Sequence, residues 1–228
     1  MRYEQYCPIA KAAEVLGERW TLLVLRELLA GATRYAELQR GLGRISPSVL
    51  SSRLKTLIAH GIIERVAGDS AHGSEYRVTS AGKELAPVLE AIAVWGQHWV
   101  RSSMTRDELD VELVMLQVQR NFDDSAFPKN HAVVGFVFSD LHGSQRRWWL
   151  LLDDGKTELC VRPPGRSEDV TLTCGVRTLA QLFTGETTVQ VARGTRRLEV
   201  RGPNRLIRNV HHWLCASPLA DRLRASSG

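Results

Sequence analysis

The sequence predicts two domains: a mainly-α winged helix-turn-helix, then an α+β domain with a mainly antiparallel sheet. Three observations carry this. Apolar residues recur at helical spacing from Pro8 to about Val100. Within that stretch two short β-like runs, at 62–66 and 75–78, flank a polar, glycine-containing tip and precede a last helix. Beyond about Asp107 the rhythm changes to strand-like runs separated by turn signals and interrupted by helices. Ser102 to Arg106 reads as the linker, which places the domains at 1–101 and 102–228.

Each element follows from local chemistry. Ile9, Ala12, Ala13 and Leu16 mark a first short helix closed by Gly17. Trp20, Leu23, Val24 and Leu28 lie on a second, ended at Gly31. A third runs from Tyr35 to Leu42, with Thr33 as its expected cap. Ser46-Pro47 opens a fourth, because serine is a favoured N-cap and proline fits the first helical position. That helix runs to about His60 and stops at Gly61. After the hairpin, Thr79 or Ser80 caps a final helix through Leu85, Val88, Leu89, Ile92 and Trp95. The second domain is expected to begin with a helix at 108–118. Strands are expected at 133–138, 148–152, 157–161, 170–173, 188–192 and 197–201, and helices at 176–183 and 205–214.

Composition narrows the function classes. Hydrophobic residues make up 43% and charged residues 24% of the 228, so disorder is excluded as the main state. No apolar run approaches the roughly 20 residues that span a bilayer, and membrane insertion is not expected. The N-terminus has a basic residue but no apolar core, so no signal peptide is expected and a cytoplasmic location is. Cys7, Cys160, Cys174 and Cys215 form no CxxC pair and no Cys/His cluster at ligand spacing. With no nucleophile–base–carboxylate set either, no metal, cofactor or catalysis is expected. The net charge of +5 admits nucleic acid without arguing for it; the placement of the charge decides.

On the fourth helix, Leu50, Leu54, Leu57 and Ile58 share one arc, and Ser48, Ser52, Lys55 and Ala59 lie opposite, with Ser51 and Thr56 at the margins. Small hydroxyls and one cation suit a DNA groove, since they reach base edges and phosphates without bulk. Arg53, on the flank, contacts a phosphate or pairs with a carboxylate. Arg44 and Ser46 precede the helix, whose N-terminus favours an anion. His72 and Arg77 on the hairpin face the neighbouring groove, or are solvated wing residues. Residues 34–65 hold Arg34, Arg40, Arg44, Arg53, Lys55 and Arg65 against Glu37 and Glu64, a net +4. That is the electrostatic footprint of DNA binding.

These residues carry a resemblance. Cys7-Pro8-Ile9-Ala10, Leu16-Gly17-Glu18-Arg19-Trp20-Thr21-Leu22-Leu23, Tyr35-Ala36-Glu37-Leu38 and the run from Ile45 to Lys55 are similar to the HxlR family of bacterial winged-helix regulators. Gly61-Ile62-Ile63, Tyr76-Arg77-Val78-Thr79, Pro87-Val88-Leu89 and Trp95-Gly96 continue it, so the likeness covers residues 6–99. It departs at the wing tip, 68–73, which looks short. The resemblance implies a homodimeric DNA-binding transcription factor whose dimer forms through the first and last helices. Ile9, Trp95 and Trp99 are then interface residues, although Trp95 and Trp99 fit the core as well. Some family members sense oxidants or electrophiles through an N-terminal cysteine in this Cys-Pro context. Cys7 is accordingly a candidate redox sensor, with no resolving cysteine near it in sequence.

The second domain resembles the sterol carrier protein type 2 family. The likeness rests on Asp169-Val170-Thr171-Leu172-Thr173, Leu179, Leu182-Phe183-Thr184-Gly185-Glu186 and Leu198-Glu199-Val200-Arg201-Gly202. It implies an α+β layer around an apolar tunnel for a small hydrophobic ligand. Phe136, Phe138, Trp148, Leu150, Leu179, Leu182, Phe183 and Val210 would line the tunnel; a filled core would use the same residues. Arg193, Arg196, Arg197, Arg201, Arg205 and Arg208 against Glu199 form a second basic cluster, net +5. A solvated face, an anionic headgroup or an auxiliary DNA contact each explains it.

The expected function is therefore a DNA-binding regulator modulated by a hydrophobic ligand. The competing class is a lipid carrier, or an enzyme-associated protein, in which the winged helix only dimerises.

Overall fold

The computed structural model describes residues 3–67, 73–100, 109–127 and 132–214. The chain divides into two compact units, Met1–Ala93 and Val94–Gly228.

The first unit contains α1 (Pro8–Leu16), α2 (Thr21–Leu29), α3 (Tyr35–Leu42), α4 (Pro47–Ala59), the antiparallel pair β1 (Ile63–Ala67) and β2 (Ser74–Val78), α5 (Ser80–Lys83) and the start of α6 (Ala86–Trp99). Its core joins α2, α3 and α4 through Val24, Leu25, Leu38, Leu50, Leu54 and Leu57. Fully burying each such side chain stabilises the fold by about 1.5–3 kcal/mol. The wing is anchored by the Tyr76 N–H, which donates to the Thr33 carbonyl at 2.7 Å. Gly82 belongs to this packing: a Cβ there would lie 2.2 Å from the Ile62 carbonyl oxygen.

Three local expectations change. The start of α3 is not closed by a Thr33 side chain; Glu37 Oε2 accepts from the backbone N–H groups of both Thr33 and Arg34 at 2.9 and 3.0 Å. The single helix expected from 79 to 95 is two, α5 and α6. Pro87 at the second position of α6 costs no helical bond there, whereas inside one continuous helix it would break the bond to residue 83. Ile58, placed on the core arc of α4, is exposed.

The second unit opens with α7 (Val111–Arg120), capped by Asp110, whose carboxylate accepts from the Glu112 N–H at 2.9 Å. Five strands follow: β3 (Ala132–Phe138), β4 (Arg147–Asp153), β5 (Lys156–Cys160), β6 (Val170–Cys174) and β7 (Leu198–Arg201). Their order is β5-β4-β3-β6-β7, with β3 and β6 parallel and every other pair antiparallel. The helices are α8 (Val176–Phe183), α9 (Val189–Gly194), α10 (Asn204–Arg208) and α11 (Val210–Trp213).

The strand expected at 188–192 is instead α9. Its β-branched composition is outweighed by the Thr188 cap, whose hydroxyl accepts from the Val191 N–H at 3.2 Å. The helix expected at 205–214 is interrupted at Asn209. Gly135 in β3 is required by a close approach: a Cβ there would fall 2.4 Å from the Glu168 carboxyl carbon. That carboxylate accepts from Trp149 Nε1 at 2.8 Å and Thr171 Oγ1 at 2.5 Å. Among the described residues no helix is long and apolar enough to cross a membrane.

Candidate nucleic-acid interface

The candidate interface is built on α4. Ser46 closes its N-terminus, its hydroxyl accepting from the Val49 N–H at 3.4 Å and standing 3.2 Å from the Ser48 hydroxyl. Leu50, Leu54 and Leu57 hold one face against α2 and α3, which forces Ser48, Ser52 and Lys55, at helical spacing, onto the exposed opposite face. Arg44, in the turn before α4, is exposed as well.

The other predicted polar residues have local work. Ser51 Oγ lies 3.4 Å from the Tyr35 hydroxyl, which itself donates to the Pro47 carbonyl at 2.8 Å. Thr56 donates to the Ser52 carbonyl at 3.1 Å. Arg53 forms an ion pair with Glu18, in the turn between α1 and α2. Of the two roles open to Arg53, the internal pair is the one the structure displays. The guanidinium of Arg77 lies 3.0 Å from Glu75 on the same strand. His72 lies outside the described residues.

Tyr35 and Glu18 were not singled out as functional from the sequence. Both fix the pose of α4, Tyr35 at its first turn and Glu18 through Arg53. The partnership of Glu18 with a residue 35 positions later is a tertiary fact with no local pattern.

The residues expected at a dimer interface are all exposed: Ile9 at 78%, Trp95 at 60% and Trp99 at 69%. Trp95 and Trp99 therefore do not serve the core. Val88, Ile92, Trp95 and Trp99 form one apolar stripe along α6. Cys7 is exposed as the residue preceding α1, with no side-chain hydrogen bond in the capping position.

In the second unit Phe136, Phe138, Trp148, Leu150, Leu179, Leu182 and Val210 belong to one buried cluster between the sheet and its helices. Phe183, expected with them, is half-buried and does not belong to that cluster. Trp213 sits at the same core, its indole N–H donating to the Leu206 carbonyl at 2.9 Å. Burial, with Asp140 adding to it, pushes the Cys174 thiol up to about 12, and burial with Glu158 also raises Cys160.

Comparison with known proteins fits this layout. The model of HxlR-like helix-turn-helix proteins matches residues 15–104, and that of the SCP-2 sterol transfer family matches residues 117–214. The uncharacterized HTH-type transcriptional regulator YvaP of Bacillus subtilis is 37% identical over 105 residues, which are 45% of this chain and 97% of that protein. This chain belongs to the HxlR-like helix-turn-helix family. A second relative, the uncharacterized HTH-type transcriptional regulator Mb3122 of Mycobacterium bovis, is 41% identical over 93 residues, 40% of this chain and 58% of its own length. Among solved structures, the reduced form of the transcriptional regulator YodB from B. subtilis is 27% identical, with a TM-score of 0.39, covering 44% of this chain and 100% of that one. The HxlR-like match takes in α2 to α6, and the SCP-2 match takes in the whole five-stranded sheet.

Proposed function

We propose that this HxlR-like protein is a transcriptional regulator that binds double-stranded operator DNA as a homodimer. Helix α4 enters the major groove. The observation that carries the reading is the exposed stripe Ser48, Ser52 and Lys55 on α4, with Arg44 at its start. Ser48 and Ser52 face base edges; Arg44, Lys55 and the N-terminal N–H groups of α4 meet phosphates. Ser46, Ser51 and Thr56 stand at the rim. Arg53 acts through Glu18 as a positioning residue, and Arg77 contributes from the wing.

The dimer uses the α6 stripe with Trp95 and Trp99, together with Ile9 on α1, since such apolar residues gain most from burial against a second copy. The SCP-2-like match and the apolar cluster around Phe136 and Leu179 support a small hydrophobic ligand in the second unit. Such a ligand changes operator affinity by its differential binding to the DNA-competent state.

Fluorescence anisotropy on a labelled operator duplex at several salt concentrations tests the reading. Lys55→Ala weakens binding and lowers the slope of log K against log salt by about 0.9, the loss of one phosphate contact. An unchanged slope and affinity would remove α4 as the reader. A chain that dimerises but binds no duplex even at low salt is a dimerisation module instead.

A further inference from the structure

Arginines in this chain are held in two ways. In the first unit Arg26, Arg53 and Arg77 each meet a carboxylate, Glu27, Glu18 and Glu75, and in the second unit Arg147 also meets a carboxylate, Glu168. Elsewhere in the second, Arg193, Arg197 and Arg205 are held by neutral oxygens. Arg197 donates to Thr195 Oγ1 at 3.0 Å, Gln181 Oε1 at 3.1 Å and Thr187 Oγ1 at 3.2 Å. Arg205 donates to the Ala126 carbonyl at 3.0 Å and Arg193 to the Ile207 carbonyl at 3.5 Å. Arg196 and Arg208 are exposed. The Arg193 bond brings the end of α9 against α10, so Arg193 and Arg208 share one surface, and Arg196 stands in the turn just after α9. Within 193–208 the sole carboxylate, Glu199, takes Arg201 at 2.7 Å. Glu186 accepts from Gln181 Nε2 at 3.4 Å and from Thr184 Oγ1 at 3.2 Å. Neutral acceptors orient the guanidinium groups of Arg193, Arg197 and Arg205 without cancelling their charge, and the exposed Arg196 and Arg208 add to the same cationic surface.

We infer that this surface, Arg193, Arg196 and Arg208 together with the exposed Arg197 and Arg205, is a second DNA-binding site that engages the phosphate backbone. It presents positive charge rather than a base-reading pattern, and a polyphosphate backbone is the complement of such a surface. DNA is favoured over other polyanions because the same chain carries the α4 reader, and the inference rests on that reading.

The test uses the full-length chain and a random-sequence duplex, read by anisotropy from low to moderate salt. The variant R193Q/R196Q/R208Q lowers the slope of log K against log salt by about 2.7, at 0.9 per contact. R193K/R196K/R208K keeps the slope, because a phosphate contact requires charge rather than the planar fork. An unaltered slope in the glutamine variant, with wild-type DNA binding intact, overturns the inference and leaves the α4 reading standing. Loss of the slope in both variants also overturns it, since the effect would then come from damaged packing. Absence of any duplex binding by the wild type overturns both. Vesicles containing phosphatidylglycerol are the counter-probe: binding lost in the glutamine variant, while the DNA slope is unmoved, assigns the surface to anionic lipid instead.

Discussion

Two amphipathic helices in this chain carry similar apolar patterns and meet opposite fates. On α8, Val176, Leu179 and Leu182 are buried, Leu179 to 1% exposure, because the five-stranded sheet supplies an apolar face to lie against. On α6, Val88, Ile92, Trp95 and Trp99 stay exposed along one stripe, while Leu85 just before it and Leu89 on it pack partly against the helical core. An apolar stripe in sequence announces that a surface needs covering; it does not say whether the cover comes from the same chain. For α8 the cover is the sheet. For α6 the proposed cover is a second copy.

The largest expected effect distinguishes the two at once. Leu179→Ala should destabilise the second unit by about 2–5 kcal/mol, since the truncation leaves a cavity that the sheet cannot fill. Urea denaturation followed by tryptophan fluorescence measures it. A loss below about 1 kcal/mol would mean that Leu179 borders open space, so that the proposed ligand rather than the sheet is what covers α8 at this point.

The α6 counterpart should leave the fold intact and move assembly. Trp95→Ala with Trp99→Ala removes two aromatic anchors of the kind that dominate interfaces, at about 2 kcal/mol or more. This corresponds to a dimer dissociation constant raised about thirtyfold or more, at 1.4 kcal/mol per tenfold. Sedimentation velocity over a concentration series reads it. An unchanged association with unchanged stability would break the comparison, because the stripe would then need no cover.

Legibility in the sequence follows the same line between local and tertiary causes. Helices α3 and α8 match their expected limits, because apolar periodicity is local. The order helix-turn-helix, hairpin, helix is likewise written in glycines and Ser46-Pro47. The strand expected at 188–192 is lost to α9 because the strand propensity of Thr188, Val189 and Val191 competes with the local Thr188 cap, and the packing of Ala192 that settles it is tertiary. At the interface, the exposed Ser48, Ser52 and Lys55 were legible from the helical wheel. The capture of Arg53 by Glu18, and of Arg197 by Gln181 and Thr187, was not, since each joins side chains on different elements.

The smallest effect uses the thiol next to α8 in sequence. Cys7 precedes α1 in the exposed region, and Cys174 lies two residues before α8 under the same cover that buries Leu179. The folded Cys174 thiol titrates at about 12 against a reference of 9.0. Above pH 9 the unfolded chain releases this proton while the folded chain keeps it. The contribution is therefore complete below pH 9 and lost as pH rises from 9 through 12, at up to about 1.4 kcal/mol per pH unit. Stability measured in urea from pH 8.5 to 10.5 should fall, and Cys174→Ala should remove that part of the slope whatever it does to the absolute value. A variant with the wild-type slope would show that Cys174 ionises as freely in the folded chain as in the unfolded one. The sheet would then shield the end of β6 no better than solvent shields α6, and the contrast between the two helices would have to rest on Leu179 alone.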